Sequence, residues 1–318
     1  PALIAIDHRL DEHWIVGDDE EACRAFMQRL EGHTGGAPDD AQVGQARVDD
    51  AELHRQAIQG ALRYIARGDV YEVNLARRWS APYEGNAFEL WEAMRDSSHV
   101  PLGAFIDGGD HAVLACTMER FLRWNAETRA LVTRPIKGTI PRDLDDARAQ
   151  SRLRADPKER AEHTMIVDLM RNDLGRVAET GSVRVDAPLS VEPFTGLYHL
   201  VSTVSCVTRP DATLKSIVEA TFPPGSVTGA PKLRALEIIE SLESYPRGAY
   251  CGAVGFVDRD GGLSLAVSIR TANVRAGEVQ YFAGGGIVEA SDPGREVDET
   301  NLKARVFLDA VARLREGR

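Results

Sequence analysis

From Asp49 onward, Leu53, Ala57, Ile58, Ala61, Leu62 and Ile65 recur at three- and four-residue steps as far as Gly68, which predicts an amphipathic helix closed by a glycine. A strand is expected next over Val73–Trp79. Short apolar runs at Ala112–Cys116, Phe121–Trp124 and Ala130–Arg134 predict a meander turning at Asn125–Thr128. Helical spacing returns at Leu144–Leu153, Lys158–Leu174 and Leu214–Ala220. Later, Cys251–Val257 and Leu263–Val274 flank the turn DRDGG and predict an antiparallel hairpin, followed by a strand at Val279–Ala283 and a last helix over Asp298–Leu314. Towards the N terminus, Leu3–Ile6 and Trp14–Val16 read as strands around the polar turn Asp7–His13, and Glu20–Leu30 as a helix. Gly, Asp and Pro crowd Glu31–Gln45, a linker or surface loop, and the main boundary is set there, dividing 1–45 from 46–318. Strands, helices, strands and a final helix in that order predict an α+β layering, with no internal repeat.

Composition narrows the partners. With 318 residues and 43% hydrophobic content the chain can bury a large core, and a net charge of −11 argues against nucleic acid or an acidic membrane surface as partner. Cys23, Cys116, Cys206 and Cys251 form no CxxC pair and have no zinc-type His spacing, so reduced thiols in a cytoplasm are expected. No apolar run approaches the ~20 residues of a membrane span, and PALIAIDHRLDEHW lacks a basic leader.

Several polar residues sit where apolar ones are expected. Glu162 shares a helix face with Met165, Ile166 and Leu169, so burial should bring it a cation, a proton or donors; a Glu–Arg pair is the plain alternative. Glu299 stands on a face with Leu302 and Val306, with Lys303 four residues on, which allows an ordinary ion pair worth only ~0.3–0.5 kcal/mol. Converging from distant helices, the two carboxylates would suit Mg²⁺ better than zinc. Along Leu263–Thr271, Ser264, Ala266, Ser268 and Arg270 make a small polar face on which Arg270 could grip a carboxylate, unless it is simply a surface arginine. Gly284–Gly286 end a strand and would let backbone N–H groups approach an anion, but they lack the GxGxxG register of a dinucleotide site. GSVTGAPK (Gly225–Lys232) reads as a turn into a helix; Thr228, Gly229 and Lys232 there are candidate anion contacts or merely a helix start. Lys137, in PIKGT at a strand end, is either a solvated charge or a nucleophile, and the second needs desolvation or nearby positive charge to free its amine.

PIKGT, AEHTMIVDLMRNDLG (Ala161–Gly175), GSVTGAPK, RGAYCGAVGF, SIRTA, AGGGIV and DETNLKAR (Asp298–Arg305) occur in one order. This set resembles the chorismate-utilising enzyme family, and within it the branch that forms 4-amino-4-deoxychorismate. The resemblance spans Asp49 to the end and implies two antiparallel sheets packed together with helices outside, preceded in this chain by a shortened N-terminal part without the family's regulatory tryptophan pocket. It implies that Glu162 and Glu299 hold Mg²⁺ and with it the ring carboxylate of chorismate, that Glu119 in TMERF is the general acid, and that Tyr250, Arg270, Gly285, Gly286 and Lys303 hold substrate carboxylates. His199 would help place the ring. Lys137 stands where relatives that attack the ring directly carry alanine, and would form a covalent adduct that ammonia then displaces. Glu72 departs from the glutamine of ammonia-using relatives and the lysine of water-using ones. No cysteine sits in a glutaminase elbow, so ammonia would come from a separate glutamine amidotransferase subunit or from solution. An anthranilate-forming enzyme and a catalytically silent chorismate-binding subunit are the alternatives.

Overall fold

The computed structural model describes residues 2–8, 10–32, 41–98, 100–142, 146–194 and 197–316. Its internal contacts divide the chain into Pro1–Asp40 and Ala41–Arg318. In the first unit, β1 (Ala2–Asp7) and β2 (Glu12–Gly17) form an antiparallel hairpin, and α1 (Glu20–Glu31) starts where the Asp19 carboxylate accepts the Ala22 N–H at 2.7 Å. Arg9 of the expected turn and residues 33–40 of the expected linker lie outside the described residues, as does Leu144 of the expected helix.

The second unit continues with β3 (Gln42–Val43), β4 (Arg47–Val48), α2 (Ala51–Ala66), β5 (Glu72–Glu84), α3 (Ala87–Ser98), β6 (Leu102–Asp107), β7 (His111–Thr117), β8 (Arg120–Trp124), β9 (Ala130–Arg134) and β10 (Ile136–Pro141). Then come α4 (Asp146–Ala155), α5 (Pro157–Gly175), β11 (Arg184–Phe194), β12 (Leu197–Val207), α6 (Leu214–Thr221), β13 (Gly229–Ala230), α7 (Lys232–Leu242), β14 (Ala253–Val257), β15 (Leu263–Val267), β16 (Thr271–Arg275), β17 (Glu278–Ile287) and α8 (Pro293–Glu316). Two antiparallel sheets result. One runs β10-β12-β9-β8-β15-β14 with β11 on β12; the other runs β13-β5-β17-β16-β7-β6 with β3 and β4 on β5. This is the expected α+β architecture.

Apolar burial explains the layering. Phe121, Leu131, Val204 and Val267 of the first sheet pack with Phe282 of the second and with Ile166 and Met170 of α5. Leu114, Val279 and Tyr281 meet Leu90 and Met94 of α3 and Phe307 and Val311 of α8 on the far side of the second sheet. Helix starts follow local chemistry: the Asp50 carboxylate caps α2, Gly68 beyond its end takes φ +81°, and Asp156 caps α5 just before Pro157.

Four expectations change. The predicted strand Leu263–Val274 is two strands in different sheets, β15 and β16, so the alternation assumed to carry through Arg270 stops at a bend where Arg270 takes φ +48°. The predicted meander is likewise broken, because β7 belongs to one sheet and β8 to the other. Gly284–Gly286 lie inside β17, opposite Ala76, Leu75 and Asn74 of β5, and do not end a strand. The last helix begins at Pro293, five residues before the expected start, and its buried stripe is Val297, Thr300, Ala304, Phe307 and Val311; Leu302 is 60% exposed, so the face assumed for Glu299 is not the core face.

Candidate active site

The two strand breaks lie side by side. β7 pairs with β16 in one sheet and β8 with β15 in the other, so both chains change sheet at one seam, stitched by Val267 N–H to the Glu119 carbonyl (2.9 Å) and Cys116 N–H to the Arg270 carbonyl (3.1 Å). Neither Glu119 nor Arg270 belongs to a regular strand, which frees their side chains from the pleat. Glu119 is buried; loss of solvent pushes its carboxyl up to about 7, against the Ser226 hydroxyl, the Lys137 charge and the Ile136 N–H. Arg270 is half-buried, and burial lowers its guanidinium, because among the described residues no carboxylate pairs with it. An unpaired, partly desolvated guanidinium is a receptor for an anion.

Lys137 enters from β10, where the following Gly138 takes φ +78° and the register with β12 shifts. Its Nζ donates to Glu72 Oε1 of β5 at 2.6 Å, with side chains 14% and 1% exposed. Burial lowers the Lys137 ammonium, but Glu72, then Glu162 and Glu119, outweigh it and the net shift is upward. Of the two routes that could free its amine, desolvation is present, but among the described residues the charges acting on it are carboxylates, which hold the proton on. Gly286 makes room for the pair: a Cβ there would stand 2.1 Å from Glu72 Oε1 and 2.9 Å from Lys137 Nζ.

Two helices bring further carboxylates. Glu162 of α5 keeps a buried Oε1 with no hydrogen-bond partner, the nearest cation being Lys158 Nζ at 3.6 Å, and burial raises its carboxyl. On α8, Glu299 is half exposed and paired with Lys303 at 2.6 Å, the ordinary i,i+4 bridge, which holds its carboxyl low in spite of desolvation. Sequence reasoning missed Glu159 and Glu296, three residues before each. Burial raises both, with Glu299 a repelling neighbour of each. Pro293 as a helix-start signal, followed to its buried face, would have found Glu296. Among the described residues no three acidic, imidazole or thiolate groups form a ready-made metal cage. Magnesium needs none: one or two carboxylates plus water and substrate oxygens suffice, and the unbonded Glu162 oxygen in this acidic patch fits it.

His199 of β12 has Nδ1 2.9 Å from Thr139 Oγ and 3.3 Å from the Gly138 carbonyl, which can only accept, so Nδ1 carries the proton and the buried, unbonded Nε2 is left as a lone pair. Burial, Arg270 and Lys303 hold its ring at about 4. Lys303 Nζ donates to the Gly284 carbonyl at 2.8 Å on the edge of β17 that β16 leaves unpaired beyond Tyr281. Period-two alternation puts the Gly286 N–H on that same edge, whereas Gly285 bonds towards β5 and serves by lacking a Cβ, which would lie 3.1 Å from Glu296 Oε2. Tyr250 is buried, stacked on Phe282 at 5.6 Å. The Thr228 hydroxyl donates to the Pro224 and Gly225 carbonyls, and Gly229 lies against the Glu72 backbone, where a Cβ would be 2.1 Å from its carbonyl oxygen. Lys232 is not an anion contact: its amine is occupied by Asp173 at 2.6 Å and the Thr221 carbonyl at 2.7 Å. Also missed was Ser226, beside Glu119, while Ser268 of the expected polar face keeps a buried hydroxyl without a partner. A cleft of about 650 Å³ lined by Arg120, Arg134, Arg142 and Phe194 borders the site through Met118 and Ile136 but contains none of these side chains.

Residues 2–309 match the family model of chorismate binding enzymes. The chain is 41% identical to anthranilate synthase component 1 of Thermus thermophilus over 98% of its own length and 70% of the relative's, and 40% identical to aminodeoxychorismate synthase component 1 of Klebsiella aerogenes over 96% and 68%. It spans 59% of the Escherichia coli aminodeoxychorismate synthase component 1. Anthranilate synthase component I from Streptococcus pneumoniae superposes with a TM-score of 0.86 at 32% identity, over 96% of this chain and 71% of that one. None of the described helices is long and apolar enough to cross a membrane. Fold and sequence match agree: the chain belongs to the chorismate-binding enzyme family.

Proposed function

We propose that this chain aminates chorismate as component I of an aminodeoxychorismate synthase, the larger unit being its catalytic domain, with ammonia delivered by a glutamine amidotransferase partner. The observation that carries the reading is the buried Lys137 nitrogen held by Glu72 at 2.6 Å and within electrostatic reach of the near-neutral acid Glu119. Lys137 Nζ adds to the ring carbon next to the one bearing the ring carboxylate; the diene electrons shift, and the hydroxyl two carbons away departs with a proton from Glu119. Ammonia then attacks the vacated carbon and expels the lysine. Arg270, Lys303 and the Gly286 N–H hold the substrate's carboxylates, Tyr250 walls the site, and the Thr228–Gly229 turn supports it from behind Glu72. The neutral His199 ring offers Nε2 as an acceptor for a ring hydroxyl. Glu162 and Glu299 would hold Mg²⁺, whose chemistry there is to bind and neutralise the ring carboxylate.

Anthranilate formation is the second reading, favoured by the similarity to anthranilate synthase components in sequence and structure. Incubation with chorismate, Mg²⁺ and ammonium followed by mass and fluorescence identification separates the two: the amino-deoxy product retains the enolpyruvyl group, whereas anthranilate fluoresces and is accompanied by pyruvate. Lys137→Ala is expected to abolish the amino-deoxy product. Unchanged yield from that variant removes the lysine from the chemistry.

A further inference from the structure

The reading just given needs a free amine, and the site holds an ammonium. The groups whose charges reach Lys137 are Glu72 on β5, Glu119 in the seam, Glu159, Glu162 and His163 on α5, and Glu299 on α8. One of them must take its proton. Glu119 has to keep its own for the departing hydroxyl. Among the described residues none of Glu159, Glu162, His163 and Glu299 makes a hydrogen bond to Nζ, and Glu299 is occupied by Lys303 at 2.6 Å. Among the described residues only Glu72 is in hydrogen-bond contact with Nζ, at 2.6 Å.

Glu72 also has a reason to accept. It is 1% exposed, and its second oxygen, Oε2, is buried without any partner, so the carboxylate is only half solvated by the protein. Protonation removes that buried charge. Gly286 and Gly229 clear the space around its head and backbone, so the contact with Lys137 is built and not incidental.

We infer that Glu72 is the general base that turns Lys137 into a nucleophile, an assignment that rests on the covalent reading above. One proton passes from Nζ to Oε1 as the nitrogen lone pair forms the carbon–nitrogen bond; the carbon–oxygen bond breaks, its electron pair leaves with the hydroxyl, and the proton of Glu119 completes water. When ammonia attacks, the lysine leaves as a neutral amine and recovers its proton from Glu72, while the new ammonium group of the product returns a proton to Glu119. Both carboxyl groups end as they began.

Single-turnover mixing of the full chain with Mg²⁺ and chorismate, without ammonia, followed by acid quench and intact-mass detection of substrate minus water on Lys137, tests the assignment. Glu72→Gln keeps an acceptor for the amine but cannot take its proton. It should form adduct about 100-fold or more slowly at neutral pH, with a rate climbing about tenfold per pH unit up to pH 7 as solvent does the deprotonation and levelling above it as Glu119 loses its proton, where the wild type is level and then falls. Glu72→Asp should regain part of the rate with the wild-type pH dependence, which separates a base from a structural prop. Adduct formation in Glu72→Gln as fast as in the wild type, or faster, overturns the inference and makes Glu72 a mere lock on the ammonium. Wild-type turnover with no adduct on Lys137 sinks the covalent reading itself.

Discussion

At Glu119 the decisive quantity is the cost of an ion without solvent. Burial holds the carboxyl at about 7, so below that pH it is a protonated donor, as the proposed loss of hydroxyl requires, and above it the donor is lost. Turnover should therefore fall about tenfold per unit on the alkaline side of pH 7. Glu119→Gln should lose about 10²–10⁴ in rate, and its residual activity should lack that descending limb; kcat measured from pH 6 to 9 decides both. Arg270 shows how far a residue's role can be read locally. Its type suited a carboxylate, but its lack of an acidic neighbour depends on what the fold puts around it.

Among elements, the seam between the two sheets places the proposed chemistry. Strand pairs β7–β16 and β8–β15 exchange sheets together, which leaves two short irregular links where Glu119 and Arg270 stand free of the pleat. β17 completes the wall with glycines that let β5 and β10 bring Glu72 and Lys137 together. Gly286→Ala should keep the fold, since its backbone conformation does not require glycine, yet it must displace the pair because its Cβ would lie 2.1 Å from Glu72 Oε1. A shift of about 1 Å at a reacting group costs on the order of 100-fold. Catalytic assay beside thermal unfolding checks this: activity should collapse while the melting temperature hardly moves.

Over the whole molecule, buried groups of opposite kind offset each other. His54, His163 and His199 are held at about 4 by burial, so on acidification below 6.5 the unfolded chain takes up their protons first and stability is lost. Glu119 at about 7 and Asp173 at about 6, both raised by burial, work the other way: the folded chain binds their protons first, and acidification through that range stabilises it. Glu159, Glu162 and Glu296 are raised in the same sense. The wild-type melting temperature should therefore change little between pH 5 and 7. Glu119→Gln removes one compensating proton and should lose about 1.4 kcal/mol per pH unit relative to wild type across that window, while being the more stable protein above pH 7. Parallel melting curves for the two proteins measure the difference.

Periodicity in the sequence determined the helices α1, α2, α5 and α6 to within a residue or two, the strands β8 and β9, and the family to which the ordered motifs point. Those features are local: which face of a segment is apolar and where a cap stops it are set by neighbours a few residues apart. Sheet membership is not local. Leu263–Val274 has one continuous pattern but two sets of partners, because β8 and β7 compete for its two halves across more than a hundred residues of chain. The same holds for the Lys137–Glu72 bond, for the shifted stripe of α8 that buries Glu296 in place of Leu302, and for every carboxyl and imidazole moved by burial. A residue type states what a group can do in water; only the packed chain decides which groups lose that water, and with it their protons.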